Sequence, residues 1–367
     1  MEEPLVKIHY WLYPVSWIYG MGVYLRNKLF DWGYYQSKSF DVPVVCVGNL
    51  AVGGTGKTPH TEYLIKLLQQ TGANVAMLSR GYKRKSKGYV LATEKTDVKR
   101  IGDEPYQIKI KFPGIRVAVD ENRCHGIEQL MKLDNPKVDV VLLDDAYQHR
   151  HVKAGLNILL TDFHRLFSDD PLLPAGRLRE PEDGKNRAHI VIVTKCPEDI
   201  KPIDFNIITK RLKLYPYQQL YFSSFRYGAL TPLFGKKRRT LTSLEKDEQV
   251  LLVTGIASPA PLVEKLEAYT PHVNICQFDD HHDFSSKDLQ MIKERFERME
   301  GNKKLIITTE KDATRLQHHP ALAEALKPYL YVLPIEIEFL QNQQHIFNQN
   351  IIGYVRAHSR NSSLPKR

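Results

Sequence analysis

The sequence predicts an α/β fold: a doubly wound, mostly parallel sheet followed by a second, smaller α/β domain. Three observations carry that reading. Short apolar runs rich in β-branched residues alternate with helical stretches, the pattern of βαβ units whose strands are buried on both faces. A glycine-rich turn follows the first run and opens a helix. The chain has 367 residues, more than twice a typical domain length of roughly 150, so two domains are expected.

Six runs, Val42–Val47, Val75–Leu78, Ile115–Val119, Val138–Leu143, Asn157–Thr161 and His189–Thr194, fit one sheet and place the first domain over residues 36–220. From Lys201 to Glu248 the pattern breaks up, with a possible strand at Leu220–Arg226 and the basic tetrad Lys236, Lys237, Arg238 and Arg239. Residues 221–248 are therefore read as the interdomain link. Four further runs, Val250–Thr254, Val273–Phe278, Leu305–Thr308 and Tyr329–Leu333, with a charged helix near Ser285–Met299, fit the smaller domain over 249–355. The tail, 356–367, is polar, basic and aperiodic, and is expected to be disordered.

Residues 1–35 stand apart. Tyr10 to Leu25 is an uncharged stretch of 16 residues, short of the ~20 that span a bilayer. All three tryptophans, Trp11, Trp17 and Trp32, lie in this region among Tyr10, Tyr13, Tyr19, Tyr24 and Phe30, flanked by Lys7, Arg26 and Lys28. Aromatic rings with one wet end beside cations suit the headgroup layer of an anionic membrane. A helix packed on the body of the protein is the alternative.

Composition narrows the class further. Hydrophobic residues make up 42% and charged residues 26% of the chain, which is ordinary globular usage and excludes wholesale disorder, a collagen-like chain or a polytopic membrane protein. Lysine and arginine total 52 against 42 acidic residues, a net charge of +10, so an anionic partner is expected: nucleic acid, acidic lipid or a phosphorylated small molecule. Cys46, Cys124, Cys196 and Cys276 lie far apart, with no CxxC pair, and read as reduced cysteines of a cytosolic protein.

The strongest local signal is Ala51, Val52, Gly53, Gly54, Thr55, Gly56, Lys57 and Thr58, between a strand and a helix from Pro59 to Gln70. Consecutive glycines let backbone N–H groups turn toward phosphate oxygens, Lys57 supplies a point charge to the β- and γ-phosphates, and the Thr58 hydroxyl can ligate Mg²⁺. This is a Walker A pattern with Ala51 where a glycine is expected, and it makes the sheet P-loop NTPase-like. Asp144 and Asp145 end the run from Val138, where a P-loop protein places the carboxylate for its metal. Capping the next helix is the competing role.

Three polar clusters remain. Asp103 and Glu104 in Gly-Asp-Glu-Pro could present a carboxylate to an acceptor hydroxyl, or form a solvated turn. Arg177, Arg179 and Glu180 lie in a proline-bounded loop suited to clamping phosphate and metal. His281 and His282 sit among carboxylates, and adjacent side chains on an extended segment point opposite ways.

The ordered set Val47-Gly-Asn-Leu-Ala-Val-Gly-Gly-Thr-Gly-Lys-Thr-Pro59, Ser79-Arg-Gly-Tyr82, Gly102-Asp-Glu-Pro105, Leu143-Asp-Asp-Ala-Tyr-Gln-His149, Gly176-Arg-Leu-Arg-Glu-Pro181, Gly255-Ile-Ala257, Asp280-His-His282 and Thr309-Glu-Lys-Asp312 resembles the tetraacyldisaccharide 4'-kinase family. The resemblance covers the chain to about Leu316. It implies transfer of the ATP γ-phosphoryl group, with Mg²⁺, to the 4'-hydroxyl of a tetraacylated glucosamine disaccharide 1-phosphate in lipid A synthesis. It also implies a peripheral protein at the cytoplasmic face of the inner membrane.

By motif, the resemblance makes Lys57 and Thr58 phosphate and metal binders and Asp103 the catalytic base. His281 becomes the partner of Asp103, reaching it across a cleft that domain closure completes. Asp144, Asp145 and Glu180 become magnesium-site carboxylates, and Arg80, Glu104, Arg123 and Arg179 contact substrate or phosphate. Ala146 and Ser258 depart from the expected glycine and asparagine, and Tyr106 and Gln107 from apolar residues. The competing function is a membrane-associated P-loop ATPase with a regulatory or partner-binding role. No nucleic-acid partner is expected, since Lys83, Arg84, Lys85 and Lys87 lack a reader helix or interleaved aromatics. No obligate protein partner is inferred.

Overall fold

The computed structural model describes residues 8–256, 259–280, 282–317 and 319–358. The chain divides into two compact units. The first runs to Phe225 and resumes at Ile337, and the second is Arg226–Glu336.

The first unit opens with α1 (Tyr13–Asp31), then β1 (Val44–Asn49), α2 (Lys57–Gln70), β2 (Val75–Ser79), β3 (Val90–Leu91), α3 (Val98–Ile101), α4 (Asp103–Lys111), β4 (Arg116–Val119) and α5 (Arg123–Met131). β5 (Val140–Asp144), β6 (Leu156–Asp162), β7 (Ile190–Thr194), α6 (Pro202–Leu212) and β8 (Gln219–Tyr227) follow. The second unit holds β9 (Thr231–Pro232), β10 (Gln249–Thr254), α7 (Ala260–Glu267), β11 (Val273–Gln277), α8 (Ser286–Arg298), β12 (Lys304–Thr309), α9 (Glu310–Leu316) and β13 (Leu330–Leu333). β14 (Ile335–Phe339) and α10 (Gln344–His358) return the chain to the first.

Among the described residues the large sheet has the order β14-β8-β7-β6-β1-β5-β2-β4-β3. The strands from β8 through β4 pair in parallel, and β3 is antiparallel to β4. β1, β2, β5 and β7 are buried along their whole length, as strands covered on both faces must be. Val45 and Val47 enter one core, and Val44 and Cys46 the other, because successive side chains alternate across the sheet. The chain builds outward from β1 to β4, returns to β5 and continues on the far side of β1 with β6. That reversal opens a crevice at the carboxyl end of β1.

The second unit repeats the logic on a smaller scale. Its sheet order is β11-β10-β12-β13-β9, with Leu251 and Val253 on one core and Val250 and Leu252 on the other. α8 starts with a reciprocal cap between Ser285 and Asp288 and buries Leu289, Ile292 and Phe296.

Two sequence boundaries shift. Residues 221–225, expected in the link, lie in β8, whose Tyr221 and Phe222 are core residues of the first unit. Residues 337–355, expected in the smaller domain, belong to the first unit. The reason is apolar burial: Phe347, Ile351 and Val355 line one face of α10 and enter the large core, where Phe347 stacks on Phe339 at 4.3 Å. Residues 356–358, expected in the tail, extend α10, and 359–367 lie outside the described residues. Cys46, Cys196 and Cys276 are buried and Cys124 is half-buried, all as free thiols.

Candidate active site

The crevice at the end of β1 gathers most of the expected residues. The loop after β1 leaves in extended form. Val52 N–H donates to Arg177 O at 2.8 Å and Arg179 N–H to Leu50 O at 2.7 Å, bracketing Ala51 in a bridge to Leu178. Ala51 thus needs no left-handed backbone, which explains why a glycine is dispensable there. Gly53 and Gly56, by contrast, take φ of 107° and 82°. Thr55 is buried and accepts from Asn49 Nδ2 at 2.8 Å. Lys57 Nζ lies 3.4 Å from Asn49 Oδ1 and 3.8 Å from Asp145 Oδ2.

β5 delivers Asp144 buried, accepting from the Thr61 hydroxyl at 3.4 Å. Burial, then the negative charges of Glu104 and Asp145, push Asp144 up to about 7 against the pull of Lys57. Asp145 follows at φ 46° and meets Arg179, whose Nη2 donates at 2.8 Å. Its partial burial works upward, but Lys57 and Arg179 outweigh that and hold its carboxyl below the usual range. Two adjacent carboxylates with opposite shifts share one lysine.

Asp103 is the first residue of α4, beside Glu104. Two glycines fix that turn against the loop after β2. A Cβ on Gly81 would lie 2.7 Å from Ile101 O and one on Gly102 2.8 Å from Tyr82 O, and both residues have positive φ. Arg80 is exposed on this loop. Arg123 is buried at the start of α5, donating to the carbonyls of Asp120 and Glu121, and its Nε has no hydrogen-bond partner among the described residues. Burial and nearby Arg80 disfavour its charge, while Asp145 and Asp144 oppose them. Arg123 and Arg80 therefore share the electrostatics of the carboxylate pair.

Glu180, expected as a magnesium-site carboxylate, is held by other side chains. Only 1% of it is exposed, Arg187 Nη2 donates to both oxygens at 2.8 and 2.9 Å, and Gln148 and Asn27 occupy them further. In this arrangement Glu180 anchors Gln148, which also donates to Asn49 O at 2.8 Å. Among the described residues no group of three or more His, Cys, Asp or Glu converges as a metal cage. A magnesium ion on nucleotide phosphates needs only one or two carboxylates, and Thr58, Asp144 and Asp145 offer hard oxygen donors of that kind.

In the second unit, His281 lies outside the described residues. His282 is engaged structurally: Nε2 pairs with Asp288 at 2.9 Å and the ring stacks on Phe278 at 4.8 Å. The Thr-Glu-Lys-Asp motif caps α9. Asp312 accepts from Gly255 N–H at 2.9 Å and from the Thr309 hydroxyl at 2.7 Å.

A family model described as tetraacyldisaccharide-1-P 4'-kinase matches residues 8–353. The chain belongs to that family. It is 66% identical to the tetraacyldisaccharide 4'-kinase of Bacteroides thetaiotaomicron, over 100% of this chain and 98% of that relative. It is 42% identical to the Porphyromonas gingivalis enzyme of the same name, over 97% of this chain and 99% of that one. Among solved structures, LpxK from Aquifex aeolicus in complex with ATP is similar with a TM-score of 0.71 and 28% identity, covering 94% of this chain and 98% of that chain. The resemblance read from the ordered motifs and the P-loop α/β fold class both hold.

For this tetraacyldisaccharide-1-P 4'-kinase family chain, sequence reasoning overlooked Asn49. Fully buried, it receives Arg179 on its side-chain oxygen, and its carbonyl accepts from Gln148 and Arg179. A polar residue ending an apolar buried strand, next to the glycine-rich turn, was the available signal.

Proposed function

We propose that this chain transfers the γ-phosphoryl group of ATP to the 4'-hydroxyl of a tetraacylated glucosamine disaccharide 1-phosphate. The observation that carries the proposal is the placement of Lys57 beside the Asp144–Asp145 pair at the β1 crevice, in a chain of this kinase family. Phosphoryl transfer passes through a loose transition state, so the protein's task is to position groups and balance charge. Lys57 and Arg179 neutralise phosphate, and the loop N–H groups of Gly53 to Lys57 cradle it. Asp103 orients the sugar hydroxyl and takes its proton. Thr58, Asp144 and Asp145 would hold Mg²⁺, which when bound draws charge from the transferring phosphate.

We further infer that α1 lies on an anionic membrane surface, the cytoplasmic face of the inner membrane. One side of α1 is tied to the site loops: Ser16 accepts from Ala175 N–H at 3.0 Å, the Tyr19 hydroxyl donates to Arg179 O at 2.7 Å and Arg26 to Gln148 O at 2.9 Å. The other side leaves Trp17, Ile18, Met21, Tyr24 and Leu25 in solvent, with Trp17 77% exposed. So large an apolar surface, next to loops that would receive a lipid headgroup, supports membrane contact. No helix is long and apolar enough to cross a membrane among the described residues. Incubating purified protein with ATP, Mg²⁺, detergent and the disaccharide 1-phosphate should yield a doubly phosphorylated product by mass. ATP hydrolysis without that product would refute the kinase assignment.

A further inference from the structure

The last glycine of the phosphate loop is held by a contact set that the proposed reaction does not use. His60, on the first turn of α2, is buried, with Nδ1 2.7 Å from Gly56 O and Nε2 3.0 Å from Ser223 Oγ on β8. A carbonyl only accepts, so Nδ1 carries the proton. Burial disfavours a charged ring, which leaves Nε2 to accept from the Ser223 hydroxyl. The helical bond from His60's own N–H to Gly56 O is long, at 3.3 Å, so the ring is the nearer donor.

β8 touches the same glycine a second time. Gly56 sits at φ 82°, and a Cβ there would lie 3.0 Å from Phe225 Cζ and 3.6 Å from His60 Nδ1. Ser223 and Phe225, two apart on one strand, share a face of the sheet. Gly56 is thus enclosed by a histidine from the helix it precedes and by an aromatic ring from the sheet.

We propose that His60, oriented by Ser223, is a positioning residue for nucleotide binding. The carbonyl of Gly56 and the N–H of Lys57 belong to one planar trans peptide and point in opposite directions. A donor that fixes the carbonyl therefore fixes the direction of the Lys57 N–H, which opens α2 and, as a first-turn amide, has no acceptor within the helix and is available to an anion. The inference rests on the P-loop reading of the site but not on the identity of the lipid acceptor.

The test is equilibrium binding of a non-hydrolysable ATP analogue with Mg²⁺ to the full chain, measured by calorimetry beside thermal unfolding. Losing one hydrogen bond to the loop backbone should raise Kd about 10-fold for His60→Ala, and about 3-fold for Ser223→Ala, where the ring remains but is less constrained. His60→Asn, whose amide can reach the Gly56 carbonyl, should recover most of the affinity. In turnover assays the KM for ATP should rise while the KM for the lipid acceptor stays put. A His60→Ala protein that folds and binds the analogue within about twofold of wild type overturns the proposal. Should that variant fail to fold, an unchanged Kd in Ser223→Ala overturns it equally. A chain that binds the analogue as expected yet phosphorylates no lipid would refute the kinase assignment and leave this inference standing.

Discussion

Two parallel strands carry aspartates at or just beyond their carboxyl ends, and the structure treats them differently. Beyond β12, Asp312 is completely buried and held through one oxygen, which accepts from Gly255 N–H and the Thr309 hydroxyl, while the other has no hydrogen bond among the described residues and faces Arg315 at 3.8 Å. At the end of β5, Asp144 is also buried, accepts from the Thr61 hydroxyl at a long 3.4 Å, and is crowded by two further carboxylates. A buried carboxyl group that joins a backbone amide and a helix cap and faces an arginine explains itself as architecture. One that is crowded by like charges is explained by what binds there.

The contrast yields graded predictions. Removing the cation beside the crowded pair should be most damaging. Lys57→Ala should lose at least ~100-fold in turnover while keeping its unfolding transition, since the charge acts on phosphate in a water-poor site. A near-normal rate would erase the distinction between the two aspartates. Removing the aspartate that caps α9 should act on folding instead. Asp312→Ala strands a buried amide and a hydroxyl and should lower stability by about 2 kcal/mol in urea unfolding.

The same contrast runs across α1, one side bonded and the other bare. Replacing Trp17, Met21 and Tyr24 with serine should release the protein from anionic liposomes with little change in stability, because these residues are mostly exposed. Wild-type binding should weaken as salt rises, each nearby cation contributing about 1 kcal/mol. Unfolding of the triple variant, together with no liposome affinity in the wild type, would make α1 a core helix.

Much of this was legible in the sequence, and for identifiable reasons. The runs ending at Val47 and Leu143 announce buried parallel strands, and the glycines before Lys57, between a strand and a helix, mark a turn suited to phosphate. Ala51 looked like a defect because sequence does not reveal that its backbone is extended. The pairing of Glu180 with Arg187 was hidden because Arg187 is not part of the motif that contains Glu180, and charge pairing is invisible without coordinates. β14 and α10 were misassigned because their apolar periodicity states that a face is buried, not which core it enters.

The central claim is that Asp144 is kept for chemistry at a cost to the fold, and Asp144→Asn tests it most directly. Burial and neighbouring carboxylates raise Asp144 from 3.8 to about 7, so the folded protein holds a proton that the unfolded chain releases at lower pH. Stability from that protonation is fully present below about pH 4 and is lost as pH rises through about 7. Asparagine lacks this loss. In thermal unfolding without Mg²⁺, Asp144→Asn should have a higher Tm than wild type at about pH 8, with the gap closing below about pH 4. Its turnover should fall by at least ~100-fold, with a defect that depends on Mg²⁺ concentration. A variant that is less stable than wild type at about pH 8, or that keeps the wild-type rate, would contradict the account.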